Sequence, residues 1–314
     1  MFSDHEVSPN VSIIIPSIGK QPLLAGLVEG LMGGTKTSIE IIISHSGDSA
    51  PSELDLNIVT VHQDSPLLAS AARNRGAEVA SGRYLFFIDD DNDVDPGVVD
   101  VLASLLDGDS AMTEVGPSMF YGSARNVVFS MGVSHRGWLG RTRTIKDWPA
   151  NGAREIISEA LPNAFMVRRS QFEAIGGFDE VSFPMDFEES DLAFRLRREH
   201  GGYLACTVDA KIWHHTPISI KQQLAAKSVA RSYYSARNRP IFIARHLEVW
   251  RWLEYIAIGQ FLAALSRCWG ILFGENRSGH SRARVILAYV AGMLTGVLLS
   301  LREIGVRVRC KPMT

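Results

Sequence analysis

One stretch decides most of what this chain can fold into. Residues 83–96 read Arg-Tyr-Leu-Phe-Phe-Ile-Asp-Asp-Asp-Asn-Asp-Val-Asp-Pro. Residues 84–88 form an unbroken apolar and aromatic run of strand length, the pattern of a strand buried on both faces. The run ends in Asp89, Asp90 and Asp91, with Asp93 and Asp95 close behind. Pro96 suits the first residue of a helix reaching Leu106. Carboxylates at the C-terminal end of a buried parallel strand lie where open α/β sheets bind their ligands. In extended chain, residues two apart point the same way, so Asp89 and Asp91 are expected to share one hard cation. The simpler alternative is a solvated acidic loop that caps the next helix. Clustered carboxylates repel unless something positive holds them, and a divalent metal with a diphosphate is the most economical partner.

Charge adds a second constraint. The 314 residues total −2, which excludes a uniformly basic nucleic-acid binder. From Lys221 onward, however, fifteen Lys/Arg face four Asp/Glu, a formal +11, so residues 1–220 carry −13. A basic, apolar tail behind an acidic domain points to an anionic lipid surface, the alternative being ordinary solvated helix faces. Cys206, Cys268 and Cys310 are scattered and indicate neither a disulfide framework nor a zinc site. Residues 1–10 are polar and show no secretory signal, so the cytoplasm is the expected compartment.

Taken in order, residues 11–15 are a β-branched strand closed by Pro16-Ser17. A helix over 23–31 ends at Gly33-Gly34. A second strand over 39–43 leads into the small polar loop Ser44-His45-Ser46-Gly47-Asp48-Ser49. A weaker strand over 58–61 and an Ala-rich helix over 70–80 precede the central strand, and 111–115 continues the alternation. Such alternation predicts an α/β fold with a doubly wound, mostly parallel sheet. Residues 119–151 read as loops or edge strands over the active end of that sheet. A strand over 163–167, a short helix capped by Ser170, and the Gly176-Gly177 turn follow. Glu188-Glu189-Ser190-Asp191 opens a helix over 192–199, where acidic residues also suit the helix dipole. A last strand over 211–215 ends in His214-His215.

At this point the chain resembles the inverting glycosyltransferases of family 2, with the A-type fold of nucleotide-diphospho-sugar transferases. The resemblance rests on Val-Ser-Ile-Ile-Ile-Pro-Ser (11–17), Ala-Arg-Asn-Arg-Gly-Ala (72–77) and Phe-Phe-Ile-Asp-Asp-Asp (86–91). It continues in Gly-Gly-Phe-Asp-Glu (176–180), Glu-Glu-Ser-Asp-Leu-Ala-Phe-Arg-Leu (188–196) and Trp-His-His (213–215). Tyr-Tyr-Ser-Ala-Arg-Asn-Arg (233–239) looks like an element of the rhamnosyltransferase-like branch. It covers roughly residues 11 to 245.

The resemblance implies a catalytic domain over 1–245, with a nucleotide-binding half (11–116) and an acceptor half (117–245), and a helical membrane-associating tail over 246–314. It implies Asp89, Asp91 and His214 as ligands of Mn²⁺ or Mg²⁺, an imidazole tilting the preference to Mn²⁺. For His214 the alternative is a hydrogen-bonded strand-end histidine. Pro16, Ser17, Arg73, Asp89 and Asp90 would meet the nucleotide sugar. His45 stands where relatives carry an aspartate, with Asp48 as a substitute, so the nucleobase stays open. The family places a base at the second residue of a Glu-Asp pair, which here is Glu189 of Glu188-Glu189, with Asp191 positioning acceptor or base.

The tail carries Trp250, Trp252 and Trp269, and residues 285–301 contain no charge. Seventeen residues at 1.5 Å each fall short of the ~30 Å hydrocarbon core. Helices lying in the interface are therefore expected, ahead of a spanning hairpin or a buried helical cap. The expected activity is metal-dependent transfer from a nucleotide-diphosphate donor to a lipid-linked saccharide or polyprenyl carrier, at the cytoplasmic face of a membrane. The rivals are a soluble or protein-bound glycan acceptor with the tail as a homo-oligomer surface, and a catalytically silent sugar-nucleotide-binding scaffold.

Overall fold

The structure is a computed structural model describing residues 10–18, 23–47, 58–135, 138–149, 152–218, 228–273 and 280–309. Asp48 and Cys310 lie outside the described residues. The chain forms two compact units. The first comprises 1–133, 144–178 and 192–215, and the second 134–143, 179–191 and 216–314. Residues 134–143 and 179–191 thus group with those after 215.

The first unit is built on a ten-stranded sheet among the described residues. Its strands are β1 (Val11–Ser17), β2 (Ile39–Ser46), β3 (Ile58–Gln63), β4 (Tyr84–Ile88) and β5 (Asn92–Val94). They continue with β6 (Met112–Tyr121), β7 (Ala124–Ser130), β8 (Glu155–Ser158), β9 (Ala164–Arg168) and β10 (Tyr203–His214). The spatial order is β8-β10-β6-β9-β4-β1-β2-β3, with β5 on β10 and β7 on β6. Strands β3, β2, β1 and β4 are parallel, as the alternation predicts. Strand β9 enters antiparallel between β4 and β6, which makes the sheet mixed. Its sequence carries no sign of direction, because direction is set by the connections.

Helices α1 (Leu24–Met32), α2 (Ala69–Glu78), α3 (Val98–Gly108), α4 (Arg169–Ala174) and α5 (Glu188–His200) accompany the strands. Alternate strand residues serve two cores. Ile13, Ile15, Phe86 and Ile88 pack with α1 and α3 side chains such as Leu27 and Leu102. Ile14, Leu85 and Phe87 pack with Phe172, Leu192 and Leu196 of α4 and α5. This explains why β1 and β4 read as apolar runs without alternation. Gly76 lets α2 lie on β1, since a Cβ there would stand 2.5 Å from Ile14. Pro96 does not begin α3: Gly97, at φ +77°, sits in a turn and the helix starts at Val98. Ser170 lies inside α4, which Arg168 precedes as N-cap. Cys206 is buried and free, and Cys268 is free and half-buried.

The second unit is helical: α6 (Val229–His246), α7 (Val249–Phe273) and α8 (Arg282–Arg309). Ser228 caps α6 by accepting the Arg231 amide at 3.2 Å. Helices α6 and α8 approach to backbone distance at two glycines. A Cβ on Gly292 would stand 2.2 Å from the Tyr233 carbonyl oxygen, and one on Gly296 2.4 Å from that of Arg237. These glycines are packing devices, the small-residue spacing that brings helices close. Residues Tyr255–Gly259 of α7 form a π-helical turn. Trp252 is buried and donates to Ser300 Oγ at 3.0 Å, so it ties α7 to α8 and does not face outward as its neighbours do.

The outer faces of these helices remain apolar. Trp250, Leu253, Ile258, Phe261, Leu265, Trp269 and Phe273 of α7 are exposed, as are Leu287, Leu294, Leu298 and Leu301 of α8. In α7 the spacings are three or four, except five across the π-helical turn, and in α8 they are seven, four and three, so each set follows one side of its helix. At 25 residues, α7 is about 37 Å long. Both α7 and α8 are long and apolar enough to cross a membrane, so the length argument against spanning, made on 17 residues, does not hold for the whole helices.

Candidate active site

Strand β4 delivers Asp89, Asp90 and Asp91 to the C-terminal edge of the parallel strands, and a turn at Asp90-Asp91 parts their directions. The chain is therefore not extended from Asp89 to Asp91, and Asp89 is held by neighbouring side chains. Its Oδ1 accepts from Arg73 Nη2 at 2.8 Å and its Oδ2 from Asn163 Nδ2 at 3.2 Å. Arg73 is buried at 2% exposure and its guanidinium faces the Phe178 ring at 5.6 Å. Asp89 is therefore a neutralised carboxylate fixed to the floor.

Asp91 goes the other way. Strand β5 pairs antiparallel with the end of β10, setting Asn92 opposite His214, and the His215 amide donates to the Asp91 carbonyl at 2.9 Å. The Asp91 carboxylate then faces His214 Nδ1 at 3.1 Å, and that of Asp93 faces His215 Nε2 at 3.1 Å. Asn92, wholly buried, donates to the Asp89 carbonyl and to Asn163 Oδ1, each at 2.8 Å. Asn163 holds φ +71° at the entry to β9, a conformation asparagine tolerates better than most residues.

Asp90 accepts from the Ser17 hydroxyl, which joins the end of β1 to the end of β4. Burial pushes its carboxyl up to about 6; the charges of Asp89 and Asp91 add to the rise and the Ser17 bond opposes it. Asp90 Oδ2 is buried and accepts no hydrogen bond among the described residues. His45 sits in register between Ser17 and His62, but its ring is buried and stacks on His62 at 5.2 Å between centroids. Pro16 is half-buried beside it.

No three His, Cys, Asp or Glu side chains among the described residues form a ready-made metal cage. The donor set nonetheless fits a hard divalent ion that also takes phosphate oxygens: the Asp91 carboxylate, the imidazole of His214 that it faces, and the buried Asp90 Oδ2, which accepts no hydrogen bond among the described residues. Asp91 and His214 fit as ligands. Asp89, with both oxygens occupied, fits less well.

In the second unit the acidic turn is held under strain. Asp186 and Phe187 both adopt positive φ, +60° and +73°, immediately before α5. Side chains of α6 clamp them. Asn238 Nδ2 donates to the Met185 and Asp186 carbonyls at 2.7 and 2.8 Å, and Arg231 Nε to Asp186 Oδ1 at 3.1 Å. Strain maintained by so many bonds is typical of functional turns. Beyond it, Glu188 is buried and Glu189 half-exposed. Asp191 is fully buried, its Oδ1 accepting from His246 Nε2 at 2.7 Å and Arg245 Nη1 at 3.3 Å. Ser190 Oγ meets His135 Nε2 at 2.9 Å.

Arg245 also binds Asp179 at 2.7 Å and Glu303 at 2.6 Å. Burial works against an ionised Asp179, yet the Ser182 amide, Arg245 and the Ser182 hydroxyl outweigh it and hold the carboxyl below its ordinary value. Asn163, His135, Arg245 and His246 were not singled out in the sequence, since none stands in a charged or periodic cluster.

A mixed sheet with carboxylates at the end of its central parallel strand, and a histidine at the end of β10 brought to them by β5, has the architecture of the A-type fold of nucleotide-sugar transferases. The crystal structure of GalNAc-T7 with UDP, GalNAc and Mn²⁺ matches with a TM-score of 0.56 at 15% identity, over 75% of this chain and 51% of that one. S. aureus TarS 1-349 matches with 0.50 at 12% identity, over 92% and 91%. At these identities the likeness shows the fold. Residues 12–159 match Glycosyl transferase family 2, and this domain belongs to that family.

The O-antigen biosynthesis protein RfbC of Myxococcus xanthus is 26% identical over 237 residues, 68% of this chain and 18% of its own length. The uncharacterized glycosyltransferase YibD of Escherichia coli (strain K12) is 34% identical over 103 residues, 30% of each. The chain thus spans less than a third of the length of these curated relatives.

Proposed function

We propose that this protein is a metal-dependent inverting glycosyltransferase, moving a sugar from a nucleotide diphosphate to a lipid-linked saccharide or polyprenyl carrier in polysaccharide biosynthesis. The observation carrying the reading is Asp91 facing His214 beside a family-2 strand end, with Asp89 already neutralised by Arg73.

Asp91 and His214 would hold Mn²⁺ or Mg²⁺, which supplies charge to the diphosphate leaving group. Arg73 and Asn163 orient Asp89 so that it presents a fixed acceptor to the nucleoside. Ser17 and Asp90 line the same strand ends, joined by the bond from the Ser17 hydroxyl to the Asp90 carboxyl, and would meet ribose or sugar hydroxyls. Glu189 is the base. It is the half-exposed carboxylate of its turn, while Asp191 is locked by His246 and Arg245 and acts by positioning the turn. Attack opposite the diphosphate in one step inverts the anomeric centre.

The apolar outer faces of α7 and α8, with the +11 charge of the last third, support attachment to an anionic membrane on its cytoplasmic side. The test is calorimetric titration with a panel of nucleotide diphosphates and nucleotide sugars, with and without Mn²⁺. Metal-dependent binding of one or more is expected; metal-independent or absent binding across the panel overturns the reading.

A further inference from the structure

The second unit contains a cavity of about 310 Å³ between α6, α7, α8 and the turn at Leu139. Three guanidinium side chains, Arg141, Arg239 and Arg267, line it together with Ser235, Ser266 and Tyr289. No Asp or Glu lines it among the described residues. A concentration of cations with hydroxyl donors and no carboxylate is the composition of a phosphate site.

The cavity is built, not incidental. Arg267 is buried, an uncommon place for a guanidinium, and Ser232 Oγ at 3.2 Å helps hold it. Arg239 is aimed by the Gly140 carbonyl at 3.4 Å and lies over the Phe187 ring. The π-helical turn ends at Gly259 on the wall, where a Cβ would stand 2.7 Å from the Leu139 carbonyl oxygen. Leu139 itself holds φ +56°. A π turn and a left-handed leucine meeting at one cavity are two local departures that packing alone does not require, and both kinds concentrate at functional sites.

The motif at 233–239 thereby divides into two tasks. Arg237 and Asn238 brace the segment before α5, whereas Ser235 and Arg239 line the cavity.

What the site takes follows from its mouth. Leu262 and Ser266 line the cavity and are exposed on α7, next to Phe261, Leu265 and Trp269 of the apolar face. A soluble phosphate has no use for such a rim, but an amphiphile does. We infer that this cavity receives the phosphate or diphosphate of a membrane lipid whose chains lie along the apolar face of α7. The inference rests on the reading of the chain as a glycosyltransferase with a lipid-linked acceptor, and names the group by which that acceptor is held.

The experiment is cosedimentation of the full chain with phosphatidylcholine vesicles containing either a polyprenyl phosphate or the corresponding polyprenol. At least about tenfold tighter binding to the phosphate-bearing vesicles is expected. The preference should disappear in Arg267→Gln and in Arg141→Glu. The second variant is exposed and spares the buried packing that the first disturbs. Equal binding to both vesicles, or an undiminished preference in Arg141→Glu, overturns the inference. Inorganic phosphate and pyrophosphate form the soluble arm: abolition of the preference by either at low millimolar concentration would assign the site to a soluble anion and overturn the lipid. Mn²⁺-dependent binding across the nucleotide panel, measured in parallel, separates the two failures. Absence of the lipid preference with nucleotide binding intact removes this site alone, whereas no metal-dependent binding of any nucleotide in the panel removes the glycosyltransferase reading.

Discussion

Asp91 and Asp89 stand two residues apart but differ in what already holds them. Asp89 already accepts a hydrogen bond at each oxygen, from Arg73 and Asn163. Asp91 faces the His214 imidazole across 3.1 Å. Replacing Asp91 by Asn should therefore weaken Mn²⁺-dependent UDP binding by about 10- to 100-fold while leaving the metal-free component unchanged, and His214→Gln should follow the same pattern. Asp89→Asn should instead lower thermal stability, since it leaves Arg73 buried beside a group of no charge. Titrating UDP with and without metal against all three variants checks the ordering; an equal metal effect in Asp91→Asn and the parent removes Asp91 from the site. For the base, Glu189→Gln keeps donor affinity and should lower transfer by about 10²–10⁴. Glu188→Gln alters a buried group and should show mainly in the melting temperature. Reversed kinetic effects would move the base to Glu188.

At the scale of elements, the clamp around the acidic turn has its own pH signature. Asp179 has a folded pKa below its ordinary 3.8, so its contribution is present above that value and is lost as pH falls through the lower, folded one. Asp179→Asn should cost about 1–2 kcal/mol at neutral pH, and the gap from the parent should close below pH 3.8. Melts from acid to neutral pH read this directly; a gap that widens in acid contradicts it. The crossing of α6 and α8 gives a sharper test, because Gly296→Leu would drive a side chain into the Arg237 carbonyl and should destabilise the unit by about 2 kcal/mol or more.

Elements also show what a sequence can reveal. Strands β1 and β4 were legible because burial on both faces leaves an unbroken apolar run. Strand β5 was not, since Asn-Asp-Val has no pattern and becomes a strand only by pairing with β10. The same pairing sets Asp91 against His214, a juxtaposition that no spacing in the sequence reveals. Trp252, one of three tryptophans that the sequence does not tell apart, and Arg267 are buried by helix packing.

For the whole molecule, the exposed faces of α7 and α8 are the feature most exposed to test. Replacing Phe261 and Leu265 by Asp should abolish cosedimentation with anionic vesicles without lowering UDP affinity, because both side chains point outward. Alkaline carbonate then separates the attachment modes: helices lying in the interface are released, and a spanning hairpin stays with the membrane.

The second unit is assembled from three separated stretches, so the chain passes between units five times, at 133/134, 143/144, 178/179, 191/192 and 215/216. Its evolution is constrained accordingly. A recombination event that exchanges only residues 216–314 between two relatives would inherit Asn238 from one parent and the left-handed Asp186-Phe187 pair it secures from the other. Such hybrids should express poorly unless residues 134–143 and 179–191 travel with the tail. Divergence of the second unit would then proceed by point substitution more readily than by exchange of a module.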